Sequence, residues 1–255
     1  ETEQLAGEQL LHVTGSLDAG PEGSAIIAGS LESCRQHALP HEVLSAAEVN
    51  ARFPGYRLPS DFVAVLQPDG GFVASERAIV AAAKLAMDAG AILRAREAVL
   101  GFDILPSGEG VRVRTDRDVY QARRLVLSTG AWIGEHVSAL KPISVPERQA
   151  LGWFCPKRPE HFRLGTFPVS NIKSDVGHFY QFPVWGVPGF KIGLYHHLGE
   201  KGAADTLSRE PNANDEAALR RGLAHFFPDA DGGVLAMRTC MFTNTPDEHF
   251  IIDRM

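Results

Sequence analysis

The order of segments between Ser75 and Trp132 constrains this chain more than any other feature. Ser75 opens a helix whose apolar side carries Ile79, Ala82, Ala83, Leu85, Ala86 and Ala89, and Gly90 stops it. Residues 91–93 read as a strand, followed by strands over 98–105, 111–115 and 119–122, with a turn at 106–108. The apolar run 125–127 reads as a buried strand that ends in Ser128, Thr129, Gly130, Ala131 and Trp132. A buried strand finishing in small residues lets a ligand approach the backbone.

The flanks carry a different pattern. Residues 11–30 read as a short strand, a turn at Gly20-Pro21 and a helix running on through 33–36. Ser45 and Glu48 have capping-box spacing, and the helix they start must end before Pro54. Residues 64–66 and 71–73 bracket a turn at 67–70, and strands follow around 180–183 and 190–195. A helix over 215–227 precedes the last stretch, 237–253, whose end at 250–252 again reads as a strand. Mixed strands with segregated helices indicate an α/β (α+β) chain with an antiparallel-rich second layer.

Composition narrows the function classes. Acidic residues number 31 against 25 basic, a formal net charge of −6, which is the wrong sign for a duplex-binding surface, so nucleic acid is not expected as a partner. The most apolar helical stretch, 78–93, is interrupted by Lys84 and Asp88 and falls short of the ~20 apolar residues that cross a bilayer, so no membrane partner is expected. Cys34, Cys155 and Cys240 are odd in number, far apart and without CxxC spacing, which fits a reducing, cytoplasmic setting. No GxSxG elbow, P-loop or HExxH occurs, so hydrolase and nucleotide-triphosphatase readings lack support.

Three features remain. Lys191 lies within the apolar strand 189–194, either as an edge lysine reaching solvent or as an inward charge that needs a partner or a task. His196 and His197 are adjacent on a strand and so face opposite ways, which disfavours a shared metal ion, and no metal is expected. Cys240 by itself reads as a small buried hydrophobe.

Taken together, residues 240–253 (CMFTNTPDEHFIID), 189–193 (GFKIG) and 128–132 (STGAW) resemble the monomeric sarcosine oxidase and N-methyltryptophan oxidase group of the D-amino-acid-oxidase superfamily. The resemblance runs from about Leu11 to the end of the sequence in consistent order. It implies part of a Rossmann-like FAD-binding domain plus an antiparallel-sheet substrate domain, with 1–81 and 148–246 on the substrate side and 82–147 and 247–255 on the FAD side.

The same resemblance assigns residues. Cys240 is implied as the covalent attachment point of FAD, with Met241 beside it. Lys191 is implied to lie over the flavin, where a fixed ammonium favours electron transfer to dioxygen. Tyr180 matches the substrate-pocket tyrosine. The family's pocket histidine falls four residues after the lysine, whereas here Tyr195 holds that place and His196 the next. A one-residue bulge brings His196 into the pocket and a regular strand brings Tyr195; we assign His196. Val99 matches a backbone contact to the adenine side of FAD, and Ser128, Thr129, Gly130 and Trp132 match the stretch packed on the dinucleotide.

The implied chemistry is oxidation of a small secondary amine, such as an N-methyl amino acid, to an imine that hydrolyses, while dioxygen becomes hydrogen peroxide, in a monomeric cytoplasmic enzyme. A pipecolate-like oxidase or a dehydrogenase of the same superfamily is the nearest alternative, and a binding module that kept the fold is the alternative of another class. No GxGxxG follows a strand, and the family's carboxylate-gripping arginine and assisting lysine have no counterpart here. The expectation is therefore that these 255 residues belong to a longer oxidase and, alone, neither hold FAD tightly nor turn over.

Overall fold

The computed structural model describes residues 2–106 and 108–254; Ser107, the middle of the expected 106–108 turn, and both end residues lie outside the described residues. The chain begins with α1 (Thr2–Ala6), β1 (Leu11–Val13), β2 (Ser16–Pro21), α2 (Ala25–Gln36), β3 (Glu42–Ser45) and α3 (Ala46–Arg52). It continues through β4 (Phe62–Gln67), β5 (Gly71–Val73), α4 (Ser75–Asp88), β6 (Val99–Ile104), β7 (Val111–Thr115), β8 (Val119–Ala122) and α5 (Ile133–His136). The remainder is β9 (Val145–Phe154), β10 (Val169–Ser174), β11 (Gly177–Phe182), β12 (Phe190–Leu194), α6 (Ala213–Phe226) and β13 (Val234–Asn244). The mixture of helices with one mixed sheet and an antiparallel ribbon is the α/β (α+β) class read from the sequence.

Two compact units form, one from Glu1–Glu8, Ser75–Pro146 and Thr243–Met255, the other from Gln9–Ala74 and Glu147–Phe242. In the first, β6, β7 and β8 make the antiparallel ribbon, and α4 forms as its apolar periodicity predicts. The expected strands over 91–93, 125–127 and 250–252 do not form. A strand exists only by pairing, and among the described residues no strand pairs with these segments. Val126 is accordingly 85% exposed rather than buried.

The second unit is built on an eight-stranded sheet in the order β13-β9-β12-β11-β10-β2-β4-β3. Strands β4 and β5 flank their turn as expected but join different sheets, β4 pairing with β2 and β3, and β5 with β1. Local chemistry sets the helix ends. Ser45 accepts from the Glu48 N–H and the Glu48 carboxylate accepts from the Ser45 N–H, so both halves of the capping box form and α3 closes at Arg52 before Pro54.

Strand alternation divides the large sheet into two faces. One carries Leu17, Ala19, Ala64, Phe154, Ile172, Phe179, Phe190 and Ile192, all buried, and α6 lies against it with Ala218, Leu219, Leu223 and Phe226. Burial of each leucine contributes roughly 1.5–3 kcal/mol. Gly222 lets the helix come close, since a Cβ there would lie 2.6 Å from the Phe179 ring. On the other face α2 covers Val65 of β4 with Ile27 and Cys34, while the part over β11, β12 and β9 is half-buried. That half-buried area is where the polar residues converge. Among the described residues no helix is long and apolar enough to cross a membrane.

Candidate functional site

Three cross-strand rows build the site on this second face. Register pairs Phe182, Lys191 and Trp153 in the first row. The second row runs Val65, Asp18, Asn171, Tyr180, Gly193 and Leu151 across six strands. In the third, Lys173 pairs with His178, and the Tyr195 N–H donates to the His178 carbonyl at 2.8 Å.

Lys191 is not an edge lysine, because β12 has β11 and β9 on either side. Its ammonium sits 4.7 Å from the Phe182 ring centroid and 5.4 Å from that of Trp153, so two aromatic faces hold the charge over the sheet. Cys240, on β13, lies within electrostatic reach. Burial pushes its thiol up, and the Lys191 charge works in the opposite direction.

Tyr180 lies across Gly193, where a Cβ would be 2.1 Å from the ring's Cζ and 2.2 Å from Oη. Only glycine leaves that space. Burial, followed by the neighbouring Cys240 and Tyr195, pushes the Tyr180 phenol far above the ordinary tyrosine range, so it remains a neutral donor.

Strand β12 reaches Leu194 without a bulge, and the Tyr195 N–H bond to His178 carries the same alternation one residue further, which puts Tyr195 on the face of Lys191 and Tyr180. Its ring stacks on His178 at 4.2 Å and meets Tyr180 edge-on at 5.0 Å, with Phe242 of β13 at 5.9 Å. His196 follows in a left-handed conformation, φ 57°, and its Nδ1 lies 3.1 Å from the buried Glu147 carboxylate. The geometry thus brings Tyr195, not His196, beside Tyr180. His197, also at positive φ, turns to Asp215 at 2.8 Å, so the two histidines have separate partners.

Lys191, Tyr180 and Cys240 thus share one face. Met241 is next to Cys240 on β13 and by alternation faces the other way, the side on which Met237 packs into the core. Val99, Ser128, Thr129, Gly130 and Trp132 belong to the other compact unit. Val99 is 42% exposed at the start of β6, and Gly130 opens a short 3₁₀ turn ending at Trp132 with φ 53°. The Thr129 hydroxyl is buried there with no hydrogen-bond partner among the described residues.

Asn171 and Asp18 escaped the sequence reading. Both are half-buried polar residues on the second row, and their only sequence signal is strand alternation relative to Leu17, Ala19 and Ile172. Trp153 and Phe182 escaped for the same reason.

The family model described as FAD dependent oxidoreductase, DAO, matches residues 2–255. The monomeric sarcosine oxidase of Bacillus sp. (strain B-0618) is 35% identical, covering 99% of this chain and 65% of its own length. The N-methyl-L-tryptophan oxidase of Yersinia pestis (strain Pestoides F) is 28% identical over 99% of this chain and 68% of its own. A solved structure of NikD, an amino acid oxidase essential for nikkomycin biosynthesis, shares the fold with a TM-score of 0.77 at 23% identity, covering 97% of this chain and 65% of that one. The chain thus spans about two thirds of the length of the relatives it matches.

Proposed function

Because the chain belongs to the FAD dependent oxidoreductase family, we propose that it serves the oxidation of small secondary amines, N-methyl amino acids of the sarcosine kind, with dioxygen reduced to hydrogen peroxide. The observation that carries this reading is the gathering of Lys191, Tyr180 and Cys240 on one half-buried sheet face. FAD, when bound, supplies the two-electron acceptor.

The residues present fit that cofactor. Cys240 offers a half-buried sulfur beside a fixed cation, the donor chemistry a thioether attachment needs. The buried Thr129 hydroxyl offers a hydrogen bond that no described residue takes up, in the stretch with Ser128, Gly130 and Trp132 that would meet the dinucleotide together with the backbone of Val99. We assign the unit containing 75–146 to FAD binding and the sheet unit to the substrate. The reading implies a monomer acting on a small amino acid.

On the sheet, Lys191 supplies the charge that favours reduction of dioxygen and attracts a carboxylate-bearing substrate. Tyr180 and Tyr195 wall the pocket with neutral phenols. The half-buried rings of Trp153, Phe182 and Phe242 line the same face with apolar surface.

The test is mass spectrometry of the flavoprotein purified in its full-length form, followed by oxygen consumption with sarcosine, N-methyl-L-tryptophan, pipecolate and proline. A Cys240 peptide carrying flavin, with oxygen uptake on an N-methyl amino acid, is the expected result. An unmodified Cys240 in an active protein removes the covalent link, and absence of amine oxidation removes the functional reading.

A further inference from the structure

Asp18, Asn171 and Tyr195 form a hydrogen-bonded chain whose polarity is fixed from one end. Ser30 Oγ donates to Asp18 Oδ2 at 2.7 Å, and Asn171 Nδ2 donates to Asp18 Oδ1 at 3.0 Å. A carboxylate only accepts, so the amide nitrogen of Asn171 must face Asp18 and its carbonyl must face Tyr195. Tyr195 Oη donates to that carbonyl at 3.3 Å. The phenol's single proton is thereby committed to Asn171, and the lone pairs of Oη remain to accept. Burial, followed by the Asp18 charge, pushes the Tyr195 phenol up and keeps it protonated. Stacking on His178 and the edge contact with Tyr180 fix where the oxygen points.

We propose that Tyr195 Oη accepts a hydrogen bond from the N–H of the amine substrate, with Asp18 acting through Asn171 to hold the phenol in the accepting orientation. The wall then presents a cation at Lys191, a neutral donor at Tyr180 and a neutral acceptor at Tyr195. Those three groups are complementary to a carboxylate-bearing amine. A site built to bind an N–H discriminates against an analogue of equal shape that lacks one. Asp18 and Asn171 are positioning residues, and Tyr195 is the group that touches substrate. The inference rests on the functional reading above.

The experiment uses the flavin-loaded full-length protein and two probes, sarcosine and methoxyacetate, in which an ether oxygen replaces the N–H. Tyr195→Phe keeps the ring and its stacking. It is expected to raise the KM for sarcosine about tenfold, the scale of one hydrogen bond, while the dissociation constant of methoxyacetate, read from flavin absorbance, changes less than twofold. Asp18→Asn, which frees Asn171 to turn its amide, is expected to raise the sarcosine KM as well, and the double variant to be no worse than Tyr195→Phe alone. In ¹³C spectra of tyrosine-labelled protein, Asp18→Asn is expected to move the Tyr195 Cζ resonance. Equal losses for both probes, additive effects in the double variant, or an unmoved resonance overturn the proposal. A wild-type protein that oxidises no amine overturns the functional reading and this inference together; normal wild-type turnover with an unchanged KM in Tyr195→Phe overturns this inference alone.

Discussion

Arg148 grips Asp215 with both arms of its guanidinium, Nη1 to Oδ1 at 2.8 Å and Nη2 to Oδ2 at 2.7 Å, and the two side chains are 1% and 0% exposed. Two of the three remaining N–H donors of Arg148 reach the carbonyls of Ser208 and Glu210, and Asp215 also accepts from His197 and from the Asn212 N–H. The pair joins β9 to the first turn of α6 beneath the sheet. Removing one partner leaves the other charged and buried. Arg148→Met is therefore expected to cost about 3–5 kcal/mol at neutral pH, and Arg148→Met with Asp215→Leu to recover much of that loss. Urea midpoints of the three proteins check it.

Acid should act through the same carboxyl. Burial pushes Asp215 up, but Arg148, the Asn212 N–H and His197 outweigh it and hold the group down to about 2. A carboxyl lowered in the folded state adds stability above its unfolded value near 3.8, and that stability drains away as pH falls from there toward 2. The amount is about 2 kcal/mol. Urea titrations at pH 5 and pH 3 should show about half of this loss in the wild-type protein and a smaller one in Arg148→Met.

Gly193→Ala tests the site without touching a polar group. The new Cβ would occupy the place of the Tyr180 Cζ, so the ring must swing away from the sheet. We expect a stability cost of about 1–3 kcal/mol, typical of overpacking, and a rise of at least about tenfold in the substrate KM from lost positioning. Steady-state kinetics beside thermal unfolding separate the two effects.

Lys191→Met keeps the length of the side chain and removes the charge held over Phe182 and Trp153. Stopped-flow measurements of the two half-reactions should show reoxidation by air slowed by about 10²–10³ fold, the scale of one electrostatic stabiliser, with the limiting rate of reduction at saturating amine much less affected and the lost attraction for the carboxylate confined to a weaker amine dissociation constant. Equal slowing of both would contradict the role assigned to Lys191.

Features set by neighbours along the chain were legible in the sequence: the Ser45–Glu48 capping box, α4 and its stop at Gly90, and the strand carrying Lys191. Features set by distant partners were not. The run 125–127 has a strand's composition, but periodicity cannot tell whether a neighbour will pair with it. The choice between Tyr195 and His196 hung on whether β12 bulged, which the backbone bond from Tyr195 to His178 decides. Asn171 and Asp18 are 153 positions apart, and only the sheet register brings them together.

That register has a further consequence for how the sheet comes into being. Strands β2 and β10 pair in parallel from Ser16 to Ala19, and they are the seam between the early stretch 9–74 and the late stretch 147–242. Neither stretch alone carries the Asp18–Asn171–Tyr195 chain, so the wall proposed to meet substrate forms only after the late strands are synthesised and dock, a non-local and therefore slow event. The same seam makes the protein divisible: a break in the backbone between 75 and 146 leaves both edges of the seam whole, and two separately made polypeptides could rejoin there to reconstitute the pocket.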